Sequence, residues 1–347
     1  MAPTSSLTIN DWSKGNIAQV KFTKPNLIGY FTTDWKLGEL SDEITSLKYY
    51  DNDIDLTSNQ LQFKLNSKNI IEARNHLEPI RPFKNWIHRN LRIENQAEVI
   101  TFKNVLCNIM NTPFHEFGRK SWSIRAEVID NRIYLCPNSE PKLDQDQIKL
   151  ELLKRYLFVK KPQSFFRKVV SILDKLFYEV YQMKIGETEL IYTADLAGVF
   201  SDQLVTNLEE LASAEHVETD IYKSGQLAAL EFNYNPTWWS MATLSRAKHF
   251  IIGFSNDENQ LYQIKKVTMS KLEEFQKNVE LWSPAVAWNF LDDFLSFVKL
   301  EIGRVEVKLR KNYVWIFNYE AGSDYVTCEP FIAQIINDEL QCQPVLH

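Results

Sequence analysis

Apolar positions along the chain switch between strict alternation and three-to-four spacing, and the switches predict most of its elements. Val99 to Ile109 carries apolar residues near helical spacing and predicts a helix that stops before Pro113. Ser121 to Val128 and Arg132 to Cys136 read as strands joined at Asp130-Asn131, a hairpin signal. Gln147 to Phe158 predicts a helix closed by Lys161-Pro162. Phe177 to Ile185 alternates and is rich in β-formers, and Gly186-Glu187 turns it into a strand from Glu189 to Phe200. The acidic run Leu208 to Asp220 reads as a solvent-exposed connection or a partner contact. Gly225 to Asn233 predicts a strand, Thr237 to Ser245 a helix, and His249 to Phe254 with Gln260 to Val267 a hairpin. Ser283 is a natural N-cap before Pro284, opening a helix to Ile302 with an apolar stripe through Trp288, Leu291, Leu295 and Val298. Strands from Arg304 to Leu309 and Tyr313 to Asn318 are expected after it.

Helices mixed with mostly antiparallel strands define a mixed α/β (α+β) class. At 347 residues the chain has room for one large domain or two small ones, and its 44% apolar content supports a sizeable core. Residues 1–20 read as a polar tail and 21–347 as a single domain. With 39 basic against 45 acidic residues the net charge is −6, which excludes a general basic coat for nucleic acid but not a local groove. The four cysteines form no CxxC and read as buried thiols. No run of apolar residues is long enough for a membrane span.

Phosphate-loop, dinucleotide, metalloprotease and hydrolase motifs are missing, and the six histidines show no metal-ligand spacing. Three acidic residues interrupt or flank apolar elements: Glu151 on a predicted helix, and Asp195 and Glu231 on predicted strands. They can converge on a hard cation such as Mg²⁺ or Mn²⁺, or each can be solvated or paired with a base; spacing leaves both open. Lys154, Arg155, Lys160, Lys161, Arg167 and Lys168 suit an RNA backbone or a solvated face. Trp238-Trp239 suits base stacking or the core.

An ordered series of short motifs carries a family resemblance. Lys24-Pro25 with Ile28-Gly29-Tyr30-Phe31, and Tyr49-Tyr50 before Asp55-Leu56, come first. Val99-Ile100-Thr101-Phe102-Lys103, Pro113-Phe114, Ile133-Tyr134-Leu135, Trp239 and Gly253-Phe254 follow in order. The series resembles the decapping exonuclease (DXO) family, nearest to the fungal branch that partners the nuclear 5′–3′ exoribonuclease. The resemblance implies a fold of two packed, mostly antiparallel β-sheets with flanking helices. It also implies metal-dependent hydrolysis at RNA 5′ ends, with two divalent cations, Mg or Mn, about 4 Å apart. The family holds them with a Glu on a helix, a Glu-x-Asp on one strand and a Glu-Leu-Lys on the next, while an Arg and a Gln contact RNA.

This sequence departs at most of those places. Glu151 stands for the helix Glu, with Gln147 in the position of the motif glycine and Val159 as a rival placement. Glu-x-Asp reads Asp195-Leu196-Ala197, Glu-Leu-Lys reads Ala229-Leu230-Glu231, the Gln is Met241 and the Arg is Lys103. Glu218-Thr219-Asp220 is a nearby Glu-x-Asp, set aside because it falls in the polar connection. Too few carboxylates remain for two cations, so the expectation is a catalytically degenerate member. It would stabilise the nuclear exoribonuclease in RNA decay and in the termination complex of RNA polymerase II, and so would be nuclear. The alternatives are a weakly active 5′-end hydrolase built on Glu151, Asp195 and Glu231, and a 5′-end-binding module. Lys103, Lys154 and Arg155 are the basic candidates for RNA contact.

Overall fold

The computed structural model describes residues 5–9, 19–33, 40–54, 63–64, 80–90, 97–114, 120–138, 145–162, 175–223, 236–256, 258, 260–279, 282–336 and 339–344. Two mixed, mostly antiparallel sheets and flanking helices make up the fold. The larger sheet runs in the order Ser5–Thr8, Tyr325–Ile336, Tyr313–Tyr319, Trp122–Ile129, Arg132–Pro137, Val99–Phe102, Thr188–Asp195, Leu176–Ile185, Asn26–Thr33, Leu40–Ser41, with Glu339–Pro344 beside the second of these. The smaller sheet runs Phe63–Lys64, Gln260–Thr268, His249–Ser255, Glu215–Lys223, Gly198–Phe200, Tyr49–Tyr50, Phe158–Val159. One core joins them: Tyr49, Val159 and Val199 of the smaller sheet fall in the same apolar cluster as Val180, Tyr181 and Tyr192 of the larger.

Most expected elements form where the pattern puts them. The Asp130-Asn131 turn has both residues at positive φ, 50° and 61°, the twist that two-residue hairpins need. Ser283 caps the helix Pro284–Gly303 by accepting from the Ala285 N–H at 3.2 Å. Trp238 and Trp239 are core residues, each less than 5% exposed. Cys107, Cys136 and Cys328 are buried free thiols.

Four expectations change, each for a packing reason. Val99 to Ile109 is a strand, Val99–Phe102, followed by a helix, Lys103–Asn111. All four strand residues are buried between parallel neighbours, and a doubly buried strand reads as a continuous apolar run. The segment Glu189 to Phe200 breaks after Asp195 and changes sheets, because Gly198 must pass close to Phe158 and the Lys48 carbonyl, where a Cβ would come within 2.4 and 2.9 Å. Arg304 to Leu309 is not a strand; Val307–Asn312 forms a 3₁₀ turn against the larger sheet. Leu208 to Asp220 is not an exposed connection: Asn207 caps a short helix, Leu208–Ser213, and the strand Glu215–Lys223 follows. That strand lies between Gly198–Phe200 and His249–Ser255, with His216, Val217, Glu218 and Thr219 all buried. Ala229 and Glu231, and the strand expected from Gly225 to Asn233, lie outside the described residues.

Candidate functional site

The break after Asp195 brings three elements together. Asp195 ends a strand of the larger sheet, Glu218 sits mid-strand in the smaller one, and Lys103 opens the helix that follows Val99–Phe102. The Lys103 ammonium donates to Glu218 Oε1 at 2.6 Å and to the Asp195 carbonyl at 2.9 Å, and it pairs with Asp195 Oδ1 at 3.2 Å. An ammonium has three donors, and three oxygens meet them. The side chains of Lys103 and Glu218 are 5% and 4% exposed, whereas that of Asp195 is 56% exposed at the mouth of the site.

The charges continue in alternating sign onto a neighbouring helix. Lys154 on the helix Gln145–Leu157 reaches Asp195 Oδ2 at 3.4 Å and Glu151 Oε1 at 3.5 Å. Burial alone would push the Lys103 pKa down, but Asp195 and Glu218 outweigh it and hold the ammonium well above the usual lysine range. Desolvation opposes ionisation of Asp195, and the two lysines overcome it and hold the carboxyl below the usual range. Solvent screens the open Asp195–Lys154 contact, so the firm element is the closed Lys103–Glu218 pair. Two residues along the strand, Asp220 accepts from Trp238 Nε1 at 2.8 Å, and burial pushes its pKa up. The Cys107 thiol is pushed up to about 12 by burial, which makes it a neutral core group and a poor nucleophile.

Of the residues singled out in the sequence, Lys103, Lys154, Asp195 and Glu151 meet in this chain of charges. Ala197 is buried in the apolar cluster of the smaller sheet, and Met241 is half-buried against the core. Arg155 is half-buried on the same helix as Lys154. Val159, the rival to Glu151, is a buried strand residue. Lys160 and Lys161 are exposed, and Arg167 and Lys168 lie outside the described residues. Glu218 is the residue that sequence reasoning set aside. The signal for it was the buried-strand pattern from His216 to Tyr222, masked by the acidic helix before it.

A model of the RAI1-like PD-(D/E)XK nucleases matches residues 23–340, and the chain belongs to that family. It is similar to Rai1 of S. pombe, solved in complex with 3′-FADP, with a TM-score of 0.71 and 14% identity over 95% of this chain and 100% of that one. Rai1 of Candida albicans, solved with pU5-Mn²⁺, gives a TM-score of 0.68 and 13% identity over 94% and 93%. The decapping and exoribonuclease protein of Mus musculus is 21% identical over 266 residues, 73% of this chain and 63% of that protein. The chain thus spans a little under two thirds of the length of that curated relative.

The family's nucleases are metal-dependent, and the donor set here can be tested against that requirement. Among the described residues no group of three or more His, Cys, Asp or Glu side chains is placed to hold a metal ion. Asp195 and Glu218 have Lys103 between them, and Asp195 and Glu151 have Lys154 between them. A divalent ion there would face an ammonium a bond length or so away in a closed setting, so the described residues do not fit a metal pair.

Proposed function

We propose that this chain is a decayed member of its nuclease family that acts by docking, as a stabilising and activating subunit of the nuclear 5′–3′ exoribonuclease in RNA decay and transcription termination. The observation that carries the reading is the Lys103–Glu218 contact of 2.6 Å. In the family pattern the Glu-Leu-Lys strand follows the Glu-x-Asp strand. Here Asp195-Leu196-Ala197 runs into the short strand Gly198–Phe200, and the next strand, Glu215–Lys223, pairs antiparallel with that one. On that reading Glu218-Thr219-Asp220 takes the place given to Ala229-Leu230-Glu231 from sequence. The Glu is kept and the Lys is replaced by an acid. Asp195 and Glu218 then remain of the strand carboxylates, Ala197 has lost its oxygens, and an acid stands where a phosphate would be drawn in. Losses within one catalytic unit do not add, and a single one can cost most of the rate. Lys103, the counterpart of the RNA-contacting Arg, has spent all three donors inside the protein and has none left for a 5′ phosphate.

The test is direct. Purified chain incubated with 5′-triphosphate and capped RNA, with and without Mn²⁺, should release nothing above background. The same chain should co-purify with the exoribonuclease and raise its activity and thermal stability. Mn²⁺-dependent release that disappears in Asp195→Ala would sink the proposal in favour of a residual hydrolase. An exoribonuclease equally stable without this chain would remove the docking role.

A further inference from the structure

The Lys103 ammonium meets oxygens of Asp195 and Glu218 where the two sheets approach. We infer that the Lys103 ammonium is the permanent occupant of a three-oxygen cation site formed by Glu218 Oε1, the Asp195 carbonyl and Asp195 Oδ1, and that it excludes divalent metal from the cleft while clamping the two sheets together. The inference rests on the proposed reading of the cleft and adds what took the metal's place.

Three features of the site support it. Its oxygens come from both sheets: Asp195 belongs to the larger and Glu218 to the smaller. All three lie within 2.6 to 3.2 Å of one nitrogen, so the donors and acceptors match in number and no polar atom of the lysine head is left over. The stem of Lys103 is held by its position: the residue is 4% exposed and starts a helix whose next turns, Val105, Leu106 and Ile109, are wholly buried. A flexible surface lysine would swing aside for a competing ion at little cost. This one has no solvent to swing into, and moving it would strand Glu218, which is as buried as the lysine. A divalent ion would gain one full carboxylate, one shared carboxylate and one carbonyl. It would have to displace an ammonium that those oxygens already satisfy.

The titration of Mn²⁺ by the wild-type chain tests this without any variant, with the paramagnetic resonance of free Mn²⁺ as the readout. The free-ion signal should persist undiminished at equimolar protein and metal in the tens of micromolar range. Uptake of one Mn²⁺ that is abolished by Glu218→Gln would overturn the inference. Thermal denaturation adds the second arm. Wild-type Tm should move by less than about 1 °C on adding millimolar Mn²⁺ or a chelator. Lys103→Met should lower Tm by roughly 5 °C or more, because a buried carboxylate loses its counter-ion. Lys103→Ala, which empties the site, should regain part of its lost Tm on adding Mn²⁺, and Lys103→Ala with Glu218→Gln should not. If Lys103→Met melts like wild type, the clamp is refuted. These readouts are separable from the docking role. Mn²⁺ uptake without RNA turnover sinks the ammonium site and leaves docking standing, while failure to stabilise the exoribonuclease with no Mn²⁺ uptake does the reverse.

Discussion

Glu218 and Glu179 are both buried carboxylates in the space between the sheets, and they differ in what meets them. Glu218 faces an ammonium at 2.6 Å. Glu179, on the strand Leu176–Ile185, is 0% exposed; its Oε2 accepts from the Tyr181 hydroxyl at 2.7 Å, and its Oε1 has the His216 ring at 3.4 Å. Burial therefore pushes the Glu179 pKa up despite His216 and Tyr181, whereas Lys103 keeps its proton more tightly than a free lysine. His216 and Glu218 lie two apart on one strand, so the same face carries both partners. The difference teaches that a full counter-charge at hydrogen-bond distance, with matched donors, lets a closed site keep its charges. A hydroxyl and a distant imidazole only moderate the cost of burying one.

The sharpest way to break the comparison is to remove one partner from each site. Glu218→Leu should destabilise the protein by about 3–5 kcal/mol, since Lys103 keeps only the open Asp195 as counter-charge. Adding Lys103→Met to it should recover most of that loss, because an apolar pair of similar volume replaces an ion pair at little cost. Chemical denaturation of the two single variants and the double variant reads both, and simple addition of the single losses would refute the pairing.

Glu179→Gln should cost about 1 kcal/mol or less, since the amide still accepts from Tyr181. It should also change the pH dependence. The raised Glu179 pKa means the folded state holds that proton more tightly than the unfolded chain. Its contribution to stability is full below pH 4.5 and declines as pH rises through the folded value. Relative to wild type, Glu179→Gln should thus become more stable as pH rises across that window, and a difference independent of pH would contradict the assignment. Lys103 has the matching alkaline window: its contribution is full below pH 10.5 and is lost as pH rises through its higher folded value. The Glu218→Leu loss should accordingly shrink only above pH 10.5.

The smallest effect belongs to Lys154, whose contacts in the charge chain are the longest. Lys154→Ala removes contacts of 3.4 and 3.5 Å to Asp195 and Glu151. With Asp195 exposed, the loss should stay under about 1 kcal/mol and fade in high salt. A larger, salt-insensitive loss in denaturant unfolding would move the energetic centre of the site outward from Lys103.

Several parts of the site were legible residue by residue. Lys103 and Asp195 stand in motif order in the sequence, and the structure brings them into contact. Glu218 was visible as a motif and misplaced as an element. An acidic stretch with a real helix inside it, Leu208–Ser213, looks solvated when read alone. The strand after it exists because Gly198–Phe200 and His249–Ser255 supply hydrogen-bonding edges on both sides. The helix expected over Val99 to Ile109 failed in the opposite sense. Three of its first four residues are apolar and all four are buried, because the strand lies inside the larger sheet with parallel neighbours at both edges, and short-range periodicity does not distinguish such a run from a buried helix.

Amino-acid order by itself determined the fold class, the family and the long capped helix, because these depend on residue types at fixed separations. Tertiary structure alone decided which carboxylate faces Lys103, since that contact joins residues 115 positions apart across two sheets. Electrostatic pairing depends on distance and burial in space, and neither is written in the spacing along a chain.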